Sequence, residues 1–272
     1  MKSKIYHAIN YSKKGANSWT EDVPYSDNKG FVMLTDPVGC SELSEKASKL
    51  AVRIASEKLR NEMNHNLNKD AFIKLMDYVI SLANVYVKKR NTKANKIKKQ
   101  EPGSTTLDIC TVLNNNLYVG HVGDGRVYAL YKNGEFKLIT EDETHAWLSY
   151  TQGHFDSPDE IKVDPSSRSL KNAVGFLDSI TVKHYDADFT KIDSVLIASD
   201  GFYKCLLDEE IMQIMLQENN PRNALKSLVD ITKNPQGIIP LAVKVNKCDE
   251  ETAKALLKQD SKSAILLKNT GS

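Results

Sequence analysis

Apolar positions recur along this chain with two different periods, and the switch between them marks its elements. Short apolar runs at about 4–10 and 30–36 read as strands, joined by a polar loop that holds Gly15, Asn17, Glu21, Asp22 and Pro24. Leu43, Ala47, Leu50, Ala51, Ile54, Ala55 and Leu59 then repeat at helical spacing to about residue 63. Ser41 and Ser44 are candidate caps for that helix, with Glu42 and Glu45 in its first turn. A second helix, about 69–90, shows Phe72, Leu75, Met76, Val79, Ile80, Ala83 and Val87 on one face. Two long helices flanked by strands predict a helical layer packed on a sheet.

After Pro102-Gly103 the period returns to that of strands: 105–113, 117–122, 126–131 and 135–139. Asn114-Asn115-Asn116 and Lys132-Asn133-Gly134 turn the chain between them, which predicts an antiparallel meander. The stretch 140–171 has little periodicity and reads as an irregular surface flap over the core. Strands at about 180–186 and 193–199 follow, then helices at about 207–217, 221–232 and 249–258, then a last strand after Asp260. Pro221 suits a first helical turn. No internal repeat or low-complexity linker interrupts the pattern, so a single domain over 1–272 is expected.

Composition changes this picture little. With 40% hydrophobic and 26% charged residues among 272, the chain reads as an ordinary globular protein. A formal charge of +2 gives no reason to expect a nucleic-acid partner. Cys40, Cys110, Cys205 and Cys248 form no C-x-x-C pair and read as free thiols of a reducing cytoplasm. The N-terminus lacks the apolar stretch of a signal peptide, and no run is long enough to span a membrane. The cationic run from Lys88 to Lys99 has a bland interpretation, a solvated helix end that complements the helix dipole, and a sharper one, an anion- or partner-binding patch.

Candidate chemistry rests on three aspartates. Asp36, Asp200 and Asp260 each stand at the end or edge of an apolar strand-like run. A carboxylate so near a dry core needs a cationic partner. Acids held at strand ends by distant segments can converge on hard divalent ions, and oxygen-only ligands suit Mg2+ or Mn2+ rather than zinc. Capping or turn roles are the alternative.

Seven short motifs occur in order: Glu21-Asp22; Asp36-Pro37-Val38-Gly39-Cys40; Gly103-Ser104-Thr105-Thr106; Gly123-Asp124-Gly125-Arg126; Asn172-Ala173-Val174-Gly175; Ser199-Asp200-Gly201-Phe202; and Asp260 before the final strand. Their order resembles the metal-dependent protein phosphatases of type 2C over nearly the whole chain. The resemblance implies an α+β fold, with two antiparallel β-sheets packed as a central sandwich and flanking helix pairs. It also implies a centre of two Mn2+ or Mg2+ ions. By that resemblance Asp36 bridges the two metals, Asp200 and Asp260 complete the first site, and Glu21 with the Pro37 carbonyl serves the second. Asp22 supports from behind, and Asp124 belongs to a third, weaker site.

Four positions depart from the family pattern. Pro37 restricts Asp36. Val38 replaces a histidine proposed as general acid in many members, which leaves leaving-group protonation to water. Asn17 replaces a phosphate-binding arginine, with Lys13 and Lys14 as possible compensation. Lys204 stands where a further acid often serves the third metal, and it offers a fixed positive charge to substrate instead. Arg168 and Asn172 are further candidates for substrate contact. The expected function is hydrolysis of phosphoserine and phosphothreonine in proteins by a metal-bridged water, without a covalent intermediate. The alternative is a weakened member that binds a phosphoprotein as a regulatory partner. A monomer is expected.

Overall fold

The computed structural model describes residues 6–13, 22–27, 30–39, 41–63, 67–98 and 102–270. In chain order the strands are β1 (Tyr6–Lys13), β2 (Val23–Ser26), β3 (Phe31–Thr35), β4 (Pro37–Val38), β5 (Ser104–Thr105) and β6 (Leu107–Leu113). They continue with β7 (Asn116–Val122), β8 (Arg126–Tyr131), β9 (Phe136–Leu138), β10 (Lys183–Asp188), β11 (Ile192–Ala198) and β12 (Lys262–Asn269). The helices are α1 (Glu42–Glu62), α2 (Lys69–Lys98), α3 (His145–Thr151), α4 (Pro158–Val163) and α5 (Asp200–Tyr203). Then come α6 (Asp208–Gln217), α7 (Pro221–Lys233), α8 (Ile239–Asn246) and α9 (Glu250–Leu256).

One antiparallel sheet runs β1-β12-β11-β8-β9 and the other β10-β7-β6-β3-β2, with β4 and β5 as a short separate ladder. The expected sandwich is therefore present. Its layers follow from the two-residue period of strands. Val32 and Leu34 of β3 join Val195 and Ile197 of β11 and Ile265 and Leu267 of β12 between the sheets. Phe31 and Met33 face the other way, into a core shared with α1 and α2. Leu196, Ala198, Ala264 and Leu266 turn to α6 and α7 on the opposite outer face. Strands covered on both sides lose the polar-apolar alternation, which explains why these segments read as continuous apolar runs. Each of these side chains larger than alanine contributes about 1.5–3 kcal/mol by leaving water.

Local chemistry sets several boundaries as expected. Ser41 caps α1, its hydroxyl accepting the Ser44 N–H at 3.1 Å. Asn114 and Asn115 both adopt positive φ, 50° and 65°, the turn that joins β6 to β7. Other boundaries differ from expectation. The stretch 140–171 is not irregular: α3 and α4 lie in it, and a 3-10 turn at Pro165–Arg168 follows, with Ala146 and Ile161 fully buried. Helices of seven and six residues are too short to display a hydrophobic period. The expected polar loop contains β2, whose four residues pair with β3. α2 runs past residue 90 to Lys98, because lysine favours helix where the apolar period fades. Neither α5 nor α8 was anticipated.

Candidate active site

Asp36 follows β3, and its backbone is clamped on both sides of the restrictive Pro37. The Asp36 N–H donates to the Thr106 hydroxyl at 2.9 Å. Its carbonyl accepts the Thr106 N–H and the Thr105 hydroxyl, each at 2.9 Å. The β4–β5 ladder then pairs Pro37 with Thr105. The threonines of the Gly103-Ser104-Thr105-Thr106 motif thus fix the backbone from which the Asp36 side chain projects.

Asp200 begins α5 directly after β11, and Asp260 lies two residues before β12. The chain between them can close only because Gly201 lacks a side chain: a Cβ there would sit 2.0 Å from the Ser261 carbonyl oxygen and 2.8 Å from Asp260 Cβ. Asp124 occupies the β7–β8 loop and is buried. Tyr203 of α5 donates its hydroxyl to the Asp124 carbonyl at 3.0 Å, tying that loop to the Asp200 helix. Arg126 braces the same corner from within. It makes a two-pronged pair with Asp142, Nε to Oδ1 and Nη2 to Oδ2 at 2.9 Å each, with its guanidinium 4.5 Å from the Tyr203 ring centre.

Asp36, Pro37, Asp124, Asp200 and Asp260 all line one cleft of about 260 Å³, together with Thr106, Arg168 and Leu170. Asp22 stands behind it, buried, with both carboxylate oxygens lacking a partner at hydrogen-bond geometry although Ser199, Ser263 and Asp36 face it. Two cations enter the cluster. Lys204 Nζ, almost wholly buried, lies 2.7 Å from Asp200 Oδ2. Arg168 Nη2, half-exposed, lies 3.1 Å from Asp260 Oδ2.

Among the described residues the carboxyls here outnumber the cations, and the cluster answers by holding protons rather than full charge. Burial, then the charges of Asp22 and Asp200, push Asp36 well above the carboxylate range. Burial and Asp200 raise Asp124 to about 8, against the pull of Lys204. Burial raises Asp22 to about 7. Asp260 is also raised, by burial and then by Asp200. Asp200 alone of the five is depressed: burial opposes it, yet Lys204 and a hydrogen bond from Asp36 hold it at about 2.

Donors of oxygen only, and buried carboxyls that hold protons for want of counter-charge, fit hard divalent cations, which would displace those protons. Among the described residues, no three acids stand ready around one empty point, since Lys204 and Arg168 already lie against two of them. Glu21, Asn17 and Lys14 lie outside the described residues. Lys13 ends β1 opposite Lys262, exposed and apart from the residues that line the cleft. Asn172 is occupied elsewhere, donating to the Glu143 carboxylate and, at 2.7 Å, to the Thr181 carbonyl. The Arg126–Asp142 brace was not anticipated. The one sign of it in the sequence was an arginine directly after Gly-Asp-Gly, inside a strand with no room for a solvated charge.

Comparison with known proteins places these features. The family model described as protein phosphatase 2C matches residues 23–231. Protein phosphatase PhpP of Streptococcus pneumoniae is 23% identical over 171 residues, covering 62% of this chain and 69% of that protein. Serine/threonine phosphatase stp of Listeria monocytogenes is 23% identical over 189 residues, 70% of this chain and 73% of its own length. Among solved structures, the catalytic domain of serine/threonine protein phosphatase PstP with two manganese ions superposes with a TM-score of 0.71. It is 20% identical and covers 97% of each chain.

Proposed function

The chain belongs to the protein phosphatase 2C family, and from that membership we propose that its acidic cleft holds two divalent ions, Mn2+ or Mg2+. It is a metal-dependent protein serine/threonine phosphatase. Asp36 would bridge the pair, Asp200 and Asp260 would complete one site, and Glu21 with the Pro37 carbonyl would serve the other. The ions, when bound, supply Lewis acidity that lowers the pKa of water and neutralises charge on phosphoryl oxygens.

The chain's own residues do the rest. Thr105 and Thr106 hold the Asp36 backbone in place, which fixes the point from which its carboxylate reaches into the cleft. Lys204, with Asp200, Asp124 and Asp260 all acting on it, remains a permanent ammonium where a third ion would otherwise collect. A two-ion site follows, with Asp124 facing lysine rather than metal. Arg168, paired with Asp260 at the mouth of the cleft, is the guanidinium placed to receive the phosphoryl oxygens of a phosphoserine or phosphothreonine side chain. A protein nucleophile is not needed, and the cysteines are poor candidates: burial pushes the Cys110 and Cys205 thiols up.

The observation that carries this is the convergence of Asp36, Asp124, Asp200 and Asp260 on one cleft, with Asp22 beside Asp36 across the β2–β3 hairpin. Hydrolysis of a phosphoserine peptide should rise with added Mn2+, stop with chelator and vanish in Asp36→Asn. Chelator-resistant turnover by the purified protein would overturn the assignment. No described helix is long and apolar enough to cross a membrane. A cytoplasmic monomer acting on phosphorylated proteins is part of the same proposal, consistent with the free thiols of Cys110 and Cys205.

A further inference from the structure

We propose that the groove between α1 and α2, on residues that take no part in the acidic cleft, binds an acidic polypeptide segment of a partner protein. The groove encloses about 600 Å³ and is walled by Lys46, Lys49 and Arg53 of α1 and Lys89, Arg90 and Lys93 of α2. Leu50 and the half-exposed Tyr86 line it between the cations.

Its charge is not balanced internally. Lys46 pairs with Glu42 and Lys49 with Glu45, one turn earlier on the same helix. Arg53, Lys89, Arg90 and Lys93 make no ion pair with any described residue. Four unneutralised cations around one concavity hold a positive potential that an anionic partner relieves. The whole chain carries a charge of only +2, so this is a local concentration and not a general excess.

Shape and spacing choose among anions. The wall from Lys46 to Arg53 spans seven residues, about 10 Å at 1.5 Å per residue. An extended peptide covers that length with about three residues. The groove is shallow and open outward, and the tyrosine and leucine between its cations offer apolar contact to the side chains of a polypeptide strand. Glu42 and Glu45 stand at one end of the groove and interrupt the cationic track that a nucleic-acid backbone would follow. Arginine at two of the positions also favours forked recognition of carboxylates.

The test uses the full chain and a fluorescein-labelled hexaglutamate peptide, read by anisotropy at low and at physiological salt. Wild-type protein should bind it at least ten-fold more tightly than a hexaserine control, and affinity should fall as salt rises. Arg53→Glu with Lys89→Glu and Arg90→Glu should abolish binding. A milder set, Arg53→Gln, Lys89→Gln, Arg90→Gln and Lys93→Gln, should weaken it at least ten-fold while circular dichroism and aryl-phosphate hydrolysis stay at wild-type values. Equal binding of both peptides overturns the proposal, and so does hexaglutamate binding untouched by the glutamine set. Tighter binding of oligo-dT or of phosphatidylglycerol vesicles through the same four residues overturns it too, by assigning the groove to another class of partner. Aryl-phosphate turnover is read separately, so loss of the phosphatase assignment and loss of this one are distinguishable.

Discussion

Two buried groups of charges lie side by side in this molecule, and they are organised in opposite ways. Arg126 and Asp142 form a closed pair: both are buried and joined by three hydrogen bonds, with the guanidinium stacked against Tyr203. The cleft a few residues away gathers four carboxyls and two cations, with Asp22 behind them making no hydrogen bond of good geometry among the described residues. The first group is satisfied by the fold itself. The second meets its deficit with protons, which a cationic ligand would displace. A structure that satisfies one cluster so fully and leaves its neighbour frustrated has placed the frustration where chemistry happens.

The largest effect should come from removing one acid of the frustrated cluster. Asp36→Asn should lower kcat on a phosphoserine peptide by about 10⁴-fold, near 5 kcal/mol of transition-state stabilisation. The same change removes a carboxyl that must take up a proton on folding at neutral pH, while the amide keeps a donor toward Asp200. The metal-free variant should therefore melt at or above the wild-type temperature, while the rise in Tm that Mn2+ gives the wild type disappears. A metal-free variant several degrees less stable than wild type would show that the cluster is not strained, and the contrast with Arg126 would fail.

The closed pair should respond in the reverse sense, with stability falling first. Arg126→Met leaves Asp142 buried and uncompensated, a loss of about 3–5 kcal/mol in urea unfolding. Adding Asp142→Leu should restore most of it, because two apolar groups leave no stranded charge. Were the double variant as unstable as the single, the guanidinium would matter through its packing on Tyr203 instead.

How much of this was legible in the sequence differs between the two regions. The sandwich and its two long helices could be read because β3, β11, β12, α1 and α2 bury whole faces, and burial leaves a period. The acids could be read because Asp36, Asp200 and Asp260 interrupt apolar runs, where a charge is conspicuous. Helices α3 and α4 were hidden by their length, and β2 by a proline at its second position in an otherwise polar stretch. The Arg126–Asp142 brace was invisible for another reason. Its partners are sixteen residues apart across a hairpin, and no local pattern reports which acid a buried arginine will find. The groove on α1 and α2 was half legible: the lysine run pointed to α2, but the matching cations of α1 stand at helical spacing among residues that read only as a solvated face.

Between the two groups lies Gly201, which lets Asp200 and Asp260 approach. Gly201→Ala puts a methyl group against the Ser261 carbonyl and Asp260 Cβ, so one strand end must shift. Overpacking of this kind costs about 1–3 kcal/mol. The shift falls on the cleft, so Mn2+ affinity measured by calorimetry should drop more than ten-fold while the Arg126 corner keeps its geometry. Unchanged Mn2+ affinity would mean that the Asp200–Asp260 approach is not what holds the ions.

The smallest effect concerns a third buried pair that titrates within reach of ordinary buffers. His121 Nδ1 lies 2.7 Å from Asp108 Oδ1, and Nε2 lies 3.2 Å from the Glu141 carbonyl oxygen. Burial works to lower the His121 pKa, but the charge and hydrogen bond of Asp108 outweigh it and leave it raised above 6.5. A histidine raised on folding contributes stability fully below its unfolded pKa and loses it as pH climbs through the folded value. Unfolding free energy should therefore fall between about pH 6.5 and the raised folded value, by about 1.4 kcal/mol for each unit of the shift. In Asp108→Asn the Coulomb partner is gone, so subtracting its urea-derived curve from that of the wild type cancels the titrations the two proteins share and leaves those of the Asp108–His121 pair. A flat difference across that window would place His121 with the fully closed pairs, neutral and indifferent to pH, and a difference that rises with pH would reverse the sign of the interaction altogether.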